Sequence, residues 1–305
     1  MGDKAKRGAL RIVGPARMGY SSSTMLERVK SWVPPRVKLG LRDSYYYLQE
    51  VRGGLFQSDD LAPPLHAKSY VGDGEFGKIG QDFVNYFVEQ GGLKPTDRVL
   101  DIGCGIGRMA IPLTRVLKAP GGYDGFDVFP YGIGWCRRKI SPRHSNFRFH
   151  HYDLTNTAYN RSGALDPASF QFPFADATFD FAFATSVFTH LTRPTTENYF
   201  KEIARTLRPG GRLVASFFVL DAGFRAKAAA GKTKFVFDHE VEGCFVNDPK
   251  IIEGIVGYSE NYLTDLLVRN GLELEKPIAF GSWAGSQNGV SSQDLLIIRK
   301  VAQLS

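Results

Sequence analysis

"VLDIGCGIGRMAIPL", residues 99–113, decides the fold. Its apolar opening reads as a buried strand, the glycines at 103, 105 and 107 as a tight turn, and the residues from Arg108 onward as a helix. A glycine turn between strand and helix lets a ligand approach bare backbone, and the helix N-terminus offers N–H groups to an anion. In an open α/β sheet such a turn lies at the carboxyl end of a strand, where ligands bind.

Outward from this stretch, strands and helices alternate. The strands are "RVLDIG" (98–103), "GYDGFDV" (122–128), "NFRFHHYD" (146–153), "FDFAFATS" (179–186) and "GRLVASFFVL" (211–220). Helices are expected in "GRMAIPLTRVLK" (with Pro112 near its start), "PYGIGWCRRKI" and "TTENYFKEIARTLRPGG". Upstream, "GKIGQDFVNYFVEQGG" places Ile79, Phe83, Val84, Phe87 and Val88 on one helical face and stops at Gly91-Gly92. Downstream, helix "SENYLTDLLVRNG" precedes "LELEKPIAFGSW" and "QDLLIIRKV", two strands expected as a terminal hairpin with a short polar link. The expected fold is α/β: a Rossmann-like, mostly parallel seven-stranded sheet with an antiparallel C-terminal hairpin and helices on both faces. Residues 1–77 read as a basic N-terminal arm and cap, residues 78–305 as the main domain, and 221–258 as an insertion after the fifth strand.

A dinucleotide fold would need glycine where Arg108 stands. The observed D-x-G-x-G-x-G, beginning at Asp101, resembles motif I of the class I S-adenosylmethionine (SAM) dependent methyltransferases. The resemblance continues in order through Asp127, Asp153, "FATSVFTHL" and "LRPGGRLVASFF", and spans roughly residues 78–301. It implies SAM as cofactor, with S-adenosylhomocysteine as product, and assigns roles residue by residue. Asp101, Gly103, Cys104, Gly105, Gly107 and Arg108 would form the cofactor loop, with the methionine carboxylate facing the helix N-terminus at Gly105–Arg108 and Asp101 either touching SAM or orienting the glycine turn through backbone N–H bonds. Asp127, with Val128, would accept the ribose hydroxyls. Asp153 would take the adenine amine beside Leu154, and Thr185, Ser186 and Val187 would surround the sulfonium. Cys104 between glycines reads as a small loop filler rather than a nucleophile. The alternative for Asp153 is a cap of the segment after it, "LTNTAYN". More narrowly, "VGDGEFGKIGQDF", "GFDVFPYGIGWC" and "SVFTHL" resemble a bacterial subgroup associated with glycan and secondary-metabolite methylation.

Methyl transfer to a hydroxyl requires alignment and the removal of a proton. His190, just past the fourth strand, is the best-placed base; the other reading is a helix-start histidine bonded to backbone. His151, Asp221 and the Asp238-His239 pair are further candidates. The three cysteines, Cys104, Cys136 and Cys244, stand far apart, and no metal-ligand spacing is present. No metal is expected.

The net charge of +7 is concentrated in residues 1–40, where nine Lys and Arg face only Asp3 and Glu27. The body is therefore neutral, which opposes nucleic acid as the partner. The basic helix "TMLERVKSWV" (24–33), with a capping box and Trp32 on its apolar face, suits peripheral contact with a membrane surface as well as a docked or solvated arm. No stretch is long and apolar enough to span a bilayer, and no signal-peptide core opens the chain, so the cytoplasm is the expected compartment. Aromatics in 41–77 and 221–258 are expected to roof a small-molecule or glycan acceptor, or else to pack the cap itself. O-methylation is the leading function. Methylation of protein or another macromolecule, and non-catalytic SAM binding, are the alternatives; Arg108 and the terminal hairpin oppose a nicotinamide oxidoreductase.

Overall fold

The structure, a computed structural model, describes residues 61–64, 75–285 and 291–302. The chain divides into two units, Met1–Ser58 and Asp59–Ser305, and the described residues all belong to the second. The arm, the basic helix 24–33 and nearly all of the 41–77 cap lie outside the described residues.

The described elements begin with α1 (Phe76–Glu89), β1 (Arg98–Ile102), α2 (Ala110–Leu113), β2 (Gly122–Asp127), α3 (Pro130–Lys139), β3 (Phe147–His151) and β4 (Phe179–Ala184). After a 3-10 turn, Phe188–His190, come α4 (Arg193–Thr206), β5 (Leu207–Phe217), β6 (Val219–Leu220) and α5 (Phe224–Ala229). The chain continues with β7 (His239–Val241), β8 (Cys244–Val246), a 3-10 turn at Ile252–Gly254, β9 (Val256–Ser259), α6 (Glu260–Arg269), β10 (Leu272–Leu274) and β11 (Asp294–Lys300).

The seven-stranded sheet runs in the order β10-β11-β5-β4-β1-β2-β3. The pairs among β1 to β5 are parallel, and β11 is antiparallel to both β5 and β10. This is the Rossmann-like sheet with antiparallel end strands expected from the sequence. Its central strands β1, β2, β4 and β11 are largely buried because both faces are covered. Alternate residues enter opposite cores: Leu100, Ile102, Ala182, Ala184, Leu213 and Ala215 go to one, and Val99, Phe183, Val214 and Ile297 to the other.

Three expectations change. Only one turn of α-helix, Ala110–Leu113, comes after the glycine turn; beyond it Arg115 and Val116 N–H bond carbonyls three residues back, Pro112 at 3.1 Å and Leu113 at 3.0 Å, the tighter 3-10 pattern. The link within the hairpin is long, residues 275–293, because β10 stops at Leu274 and the chain makes a 3-10 turn (Ser282–Ala284) before β11. Val88, expected on the buried face of α1, is 41% exposed; that face is carried by Gly80, Val84 and Phe87.

The 221–258 insertion is an organised element. With β6 at one edge it builds a second sheet, β6-β9-β8-β7. Beside it Phe218, Phe224, Phe237 and Trp283 pack as a separate small aromatic core. Asp294, fully buried at the start of β11, ties these parts together: its carboxylate accepts Val219 N–H at 2.7 Å, Gly281 N–H at 2.7 Å and Trp283 Nε1–H at 2.8 Å. Among the described residues no helix is long and apolar enough to cross a membrane.

Candidate functional site

A cavity of about 500 Å³, within the usual range for small-molecule sites, opens at the carboxyl ends of β1, β2 and β4. Strand pairing explains its place. Gly103 and Cys104 N–H both donate to the Phe126 carbonyl, at 2.9 and 3.0 Å, so the glycine turn leaves the sheet beside the end of β2. Gly103 is at φ +77°, and a Cβ there would meet Val187 Cγ2 at 2.5 Å. Glycine is required at this position.

Asp127, at the end of β2, lines the cavity and is 8% exposed. One carboxylate oxygen accepts Gly105 N–H at 2.7 Å and the other Phe129 N–H at 2.8 Å. The carboxylate thus holds the glycine turn, and each oxygen keeps a lone-pair direction for a ligand hydroxyl. Burial pushes its pKa up, against the pull of those backbone donors. Arg108 lines the same wall; its Nε is buried without a hydrogen bond among the described residues, and desolvation lowers its pKa. A buried guanidinium edge without an acceptor suits an anionic ligand group.

Gly103, Cys104, Gly105, Val128, Leu154, Thr185, Ser186, Val187 and His190 also line the cavity, as the sequence predicts. Three predicted residues do not. Asp153 is exposed and closes its own loop, its carboxylate accepting Asn160 Nδ2–H at 2.7 Å and Ala164 N–H at 3.2 Å. Its neighbour Leu154 turns inward instead. Asp101 is buried on β1, where it accepts the Tyr123 hydroxyl at 2.6 Å. Gly107 packs away from the cavity, where a Cβ would meet Cys136 Sγ at 3.0 Å. His151 is likewise outside the lining, as is Asp221, which pairs with Lys227 at 3.0 Å. Asp238 and His239 are exposed, at and before the start of β7.

On the opposite wall, Ser186 holds a left-handed backbone, φ +58°, an uncommon state for a residue with a Cβ. It is fixed there by hydrogen bonds. Ser186 N–H donates to Ser216 Oγ at 2.7 Å, and both serine hydroxyls donate to Gln293 Oε1, at 3.1 and 2.6 Å. Gln293 reaches the site because β11 is antiparallel: Asp294 pairs with Phe217, so the residue before it lies past the carboxyl end of β5. Single-strand patterns did not reveal Gln293; only the antiparallel topology could have pointed to it.

His190 sits in the 3-10 turn after β4. Its Nδ1 lies 3.2 Å from the Glu253 carbonyl oxygen and its Nε2 3.2 Å from the Tyr159 hydroxyl. A carbonyl only accepts, so Nδ1 carries the proton and Nε2 accepts from Tyr159. Burial lowers the His190 pKa below its ordinary 6.5, outweighing the opposite effect of the backbone oxygens at Glu253 and Gly254. The ring is therefore neutral near neutral pH. Tyr159 and Tyr199 are cavity residues that the sequence reading missed. Tyr159 was detectable only as part of "NTAY", where Asn156 Oδ1 accepts both Ala158 and Tyr159 N–H at 3.0 Å and turns the chain.

Among the described residues no group of three His, Cys, Asp or Glu is arranged to hold a metal ion. The lining would suit SAM, with its carboxylate toward Arg108, its ribose hydroxyls toward Asp127 and its adenine flanked by Val128 and Leu154.

Residues 99–211 match the family model described as a methyltransferase domain. O-methyltransferase rstn1 of Aspergillus nomiae is 32% identical over 126 residues, 41% of this chain and 48% of that protein. The 27-O-demethylrifamycin SV methyltransferase of Amycolatopsis mediterranei is 32% identical over 140 residues, 45% of each chain. The chain thus spans less than half the length of these curated relatives. The PH0226 protein of Pyrococcus horikoshii superposes with a TM-score of 0.50 at 16% identity, covering 76% of this chain and 93% of that one, a likeness of fold.

Proposed function

We propose that this chain, which carries a class I SAM-dependent methyltransferase domain, methylates a hydroxyl oxygen on a small-molecule or glycan acceptor. SAM, when bound, supplies an electrophilic methyl group on sulfur. The chain's own residues do the rest. Arg108 and Asp127 would anchor the two polar ends of the cofactor, and the Asp127 bond to Gly105 N–H keeps the glycine turn in shape before binding. The serines and Gln293 would border the acceptor. His190 would take its proton.

The observation that carries the reading is the geometry of His190: partly buried, lining the cavity, with Nδ1 tied to the Glu253 carbonyl and Nε2 kept as an acceptor. Such a group is needed for a hydroxyl nucleophile, which attacks poorly until its proton is removed, and is superfluous for one already ionised. The proposal places the protein in the cytoplasm, with the basic residues 1–40 meeting a membrane surface where the acceptor is lipid-linked. Incubation with methyl-labelled SAM and a fractionated cell extract tests it. Label in the polar-metabolite, glycan or glycolipid fraction, in alkali-stable ether linkage, is the expected result. Label confined to protein or nucleic acid would replace it with macromolecular methylation, and SAM binding without label in any fraction would favour a binding-only role.

A further inference from the structure

Resting on that reading, the geometry points to Tyr159 as a second catalytic residue. We propose that the Tyr159 hydroxyl relays the acceptor's proton to His190. Tyr159 lines the cavity, and its hydroxyl lies 3.2 Å from His190 Nε2. The rings meet edge to face, with centroids 5.1 Å apart and planes at 82°, so the phenol and the imidazole are held as a unit. A phenol oxygen that donates its own hydrogen can still accept one from another group, which is what a relay requires.

Glu253 fixes both members. Its backbone carbonyl accepts from His190 Nδ1, while its buried carboxylate accepts Thr157 N–H at 2.5 Å, two residues before Tyr159 in the same loop. Asn156 binds across the pair as well: its Nδ2 donates to the His190 carbonyl at 3.0 Å while its Oδ1 accepts Tyr159 N–H. Two loops that are 31 residues apart in sequence are thereby locked at one hydrogen bond.

Atoms and electrons balance in the transfer. The acceptor O–H bond breaks and its proton bonds to the Tyr159 oxygen, as the former Tyr159 proton bonds to His190 Nε2. The electron pair freed on the acceptor oxygen forms the O–CH3 bond, and the pair of the S–CH3 bond stays on sulfur. A sulfonium and a neutral alcohol become a thioether, a methyl ether and one imidazolium. Tyr159 ends as it began, neutral, with a proton exchanged.

The first arm of the test needs no acceptor. Imidazole 1H–15N NMR of the full chain, with His190→Gln identifying the His190 signals among the six histidines, should show a proton on Nδ1 and an acceptor Nε2. Tyr159→Phe should move the Nε2 resonance downfield. An Nε2–H tautomer, or an Nε2 resonance indifferent to Tyr159→Phe, overturns the pairing. Because Tyr159 is 44% exposed, this variant removes one oxygen without opening the core.

The second arm measures thioether release with catechol and methyl glucoside as hydroxyl probes and octanoate as a carboxylate probe. On a hydroxyl probe that the wild type turns over, Tyr159→Phe should lower kcat by ~10²-fold or more and leave KM for SAM within a few fold. An equal kcat with an unchanged pH profile overturns the relay while leaving hydroxyl methylation in place. Wild-type turnover of octanoate alone refutes hydroxyl methylation itself, and is distinguished by not involving the variants.

Discussion

The Glu253 carbonyl oxygen lies 3.2 Å from His190 Nδ1, so a residue of the 221–258 insertion sets the tautomer of a histidine just past β4. A helper segment remote in sequence thereby decides which nitrogen of the candidate base faces the cavity.

That burial governs the pH dependence. His190 has its pKa lowered in the folded chain. Its neutral form, which can act as base, therefore persists below the ordinary histidine value. The acid limb of kcat/KM should lie below pH 6.5, and His190→Gln should remove that limb along with ~10²-fold or more of kcat. For stability the sign is the same. A depressed folded pKa contributes stability above the unfolded value that is lost as pH falls through the folded one. The wild type should lose Tm faster than His190→Gln on acidification below about pH 6.5. Parallel melting curves would contradict the assignment.

Asp127 has two tasks, holding Gly105 and binding ribose. Asp127→Ala should weaken SAM binding by ~1–3 kcal/mol, about fivefold to 150-fold, through lost charge-assisted bonds. Calorimetric titration with SAM measures it, and unchanged affinity would remove Asp127 from the cofactor site.

Arg108 offers a contrast between stability and binding. Its buried Nε has no partner among the described residues, and an unsatisfied buried donor costs ~1–3 kcal/mol. Arg108→Met should therefore leave the ligand-free Tm unchanged or raise it, while SAM ceases to raise Tm further. A variant still stabilised by SAM to the wild-type extent would show that the guanidinium does not meet the methionine carboxylate.

Asp294 is a structural counterpart. Its carboxylate satisfies three buried N–H donors, on Val219, Gly281 and Trp283. Asp294→Ala strands all three and should cost ~3–5 kcal/mol in denaturant unfolding. Asp294→Asn, which keeps an acceptor oxygen, should cost less. Equal losses for the two variants would mean that volume, not hydrogen bonding, sets the effect.

The glycine turn, Asp127 and the residues 185–190 were legible because each sits within a few residues of a strand end, and a parallel strand delivers its carboxyl end to the site whatever the distant chain does. Asp153 follows the capping alternative for a local reason. In an extended segment neighbouring residues face opposite ways, and one residue's difference sends Leu154 inward and Asp153 to Asn160 and Ala164. Motif position specified the loop but not which of two adjacent side chains enters the cavity.

Local patterning sufficed for the sheet, for the succession of strands and helices, and for the bare backbone at 103–107, since apolar periodicity and glycine conformation belong to short stretches of chain. It could not place Tyr159, Gln293 and Glu253 beside His190 and Ser186. Those meetings depend on an antiparallel β11, on an insertion folded back against the end of β4 and on the loop between β3 and β4. Hydrogen bonds spanning 31 to 107 residues leave no periodicity in the chain that makes them.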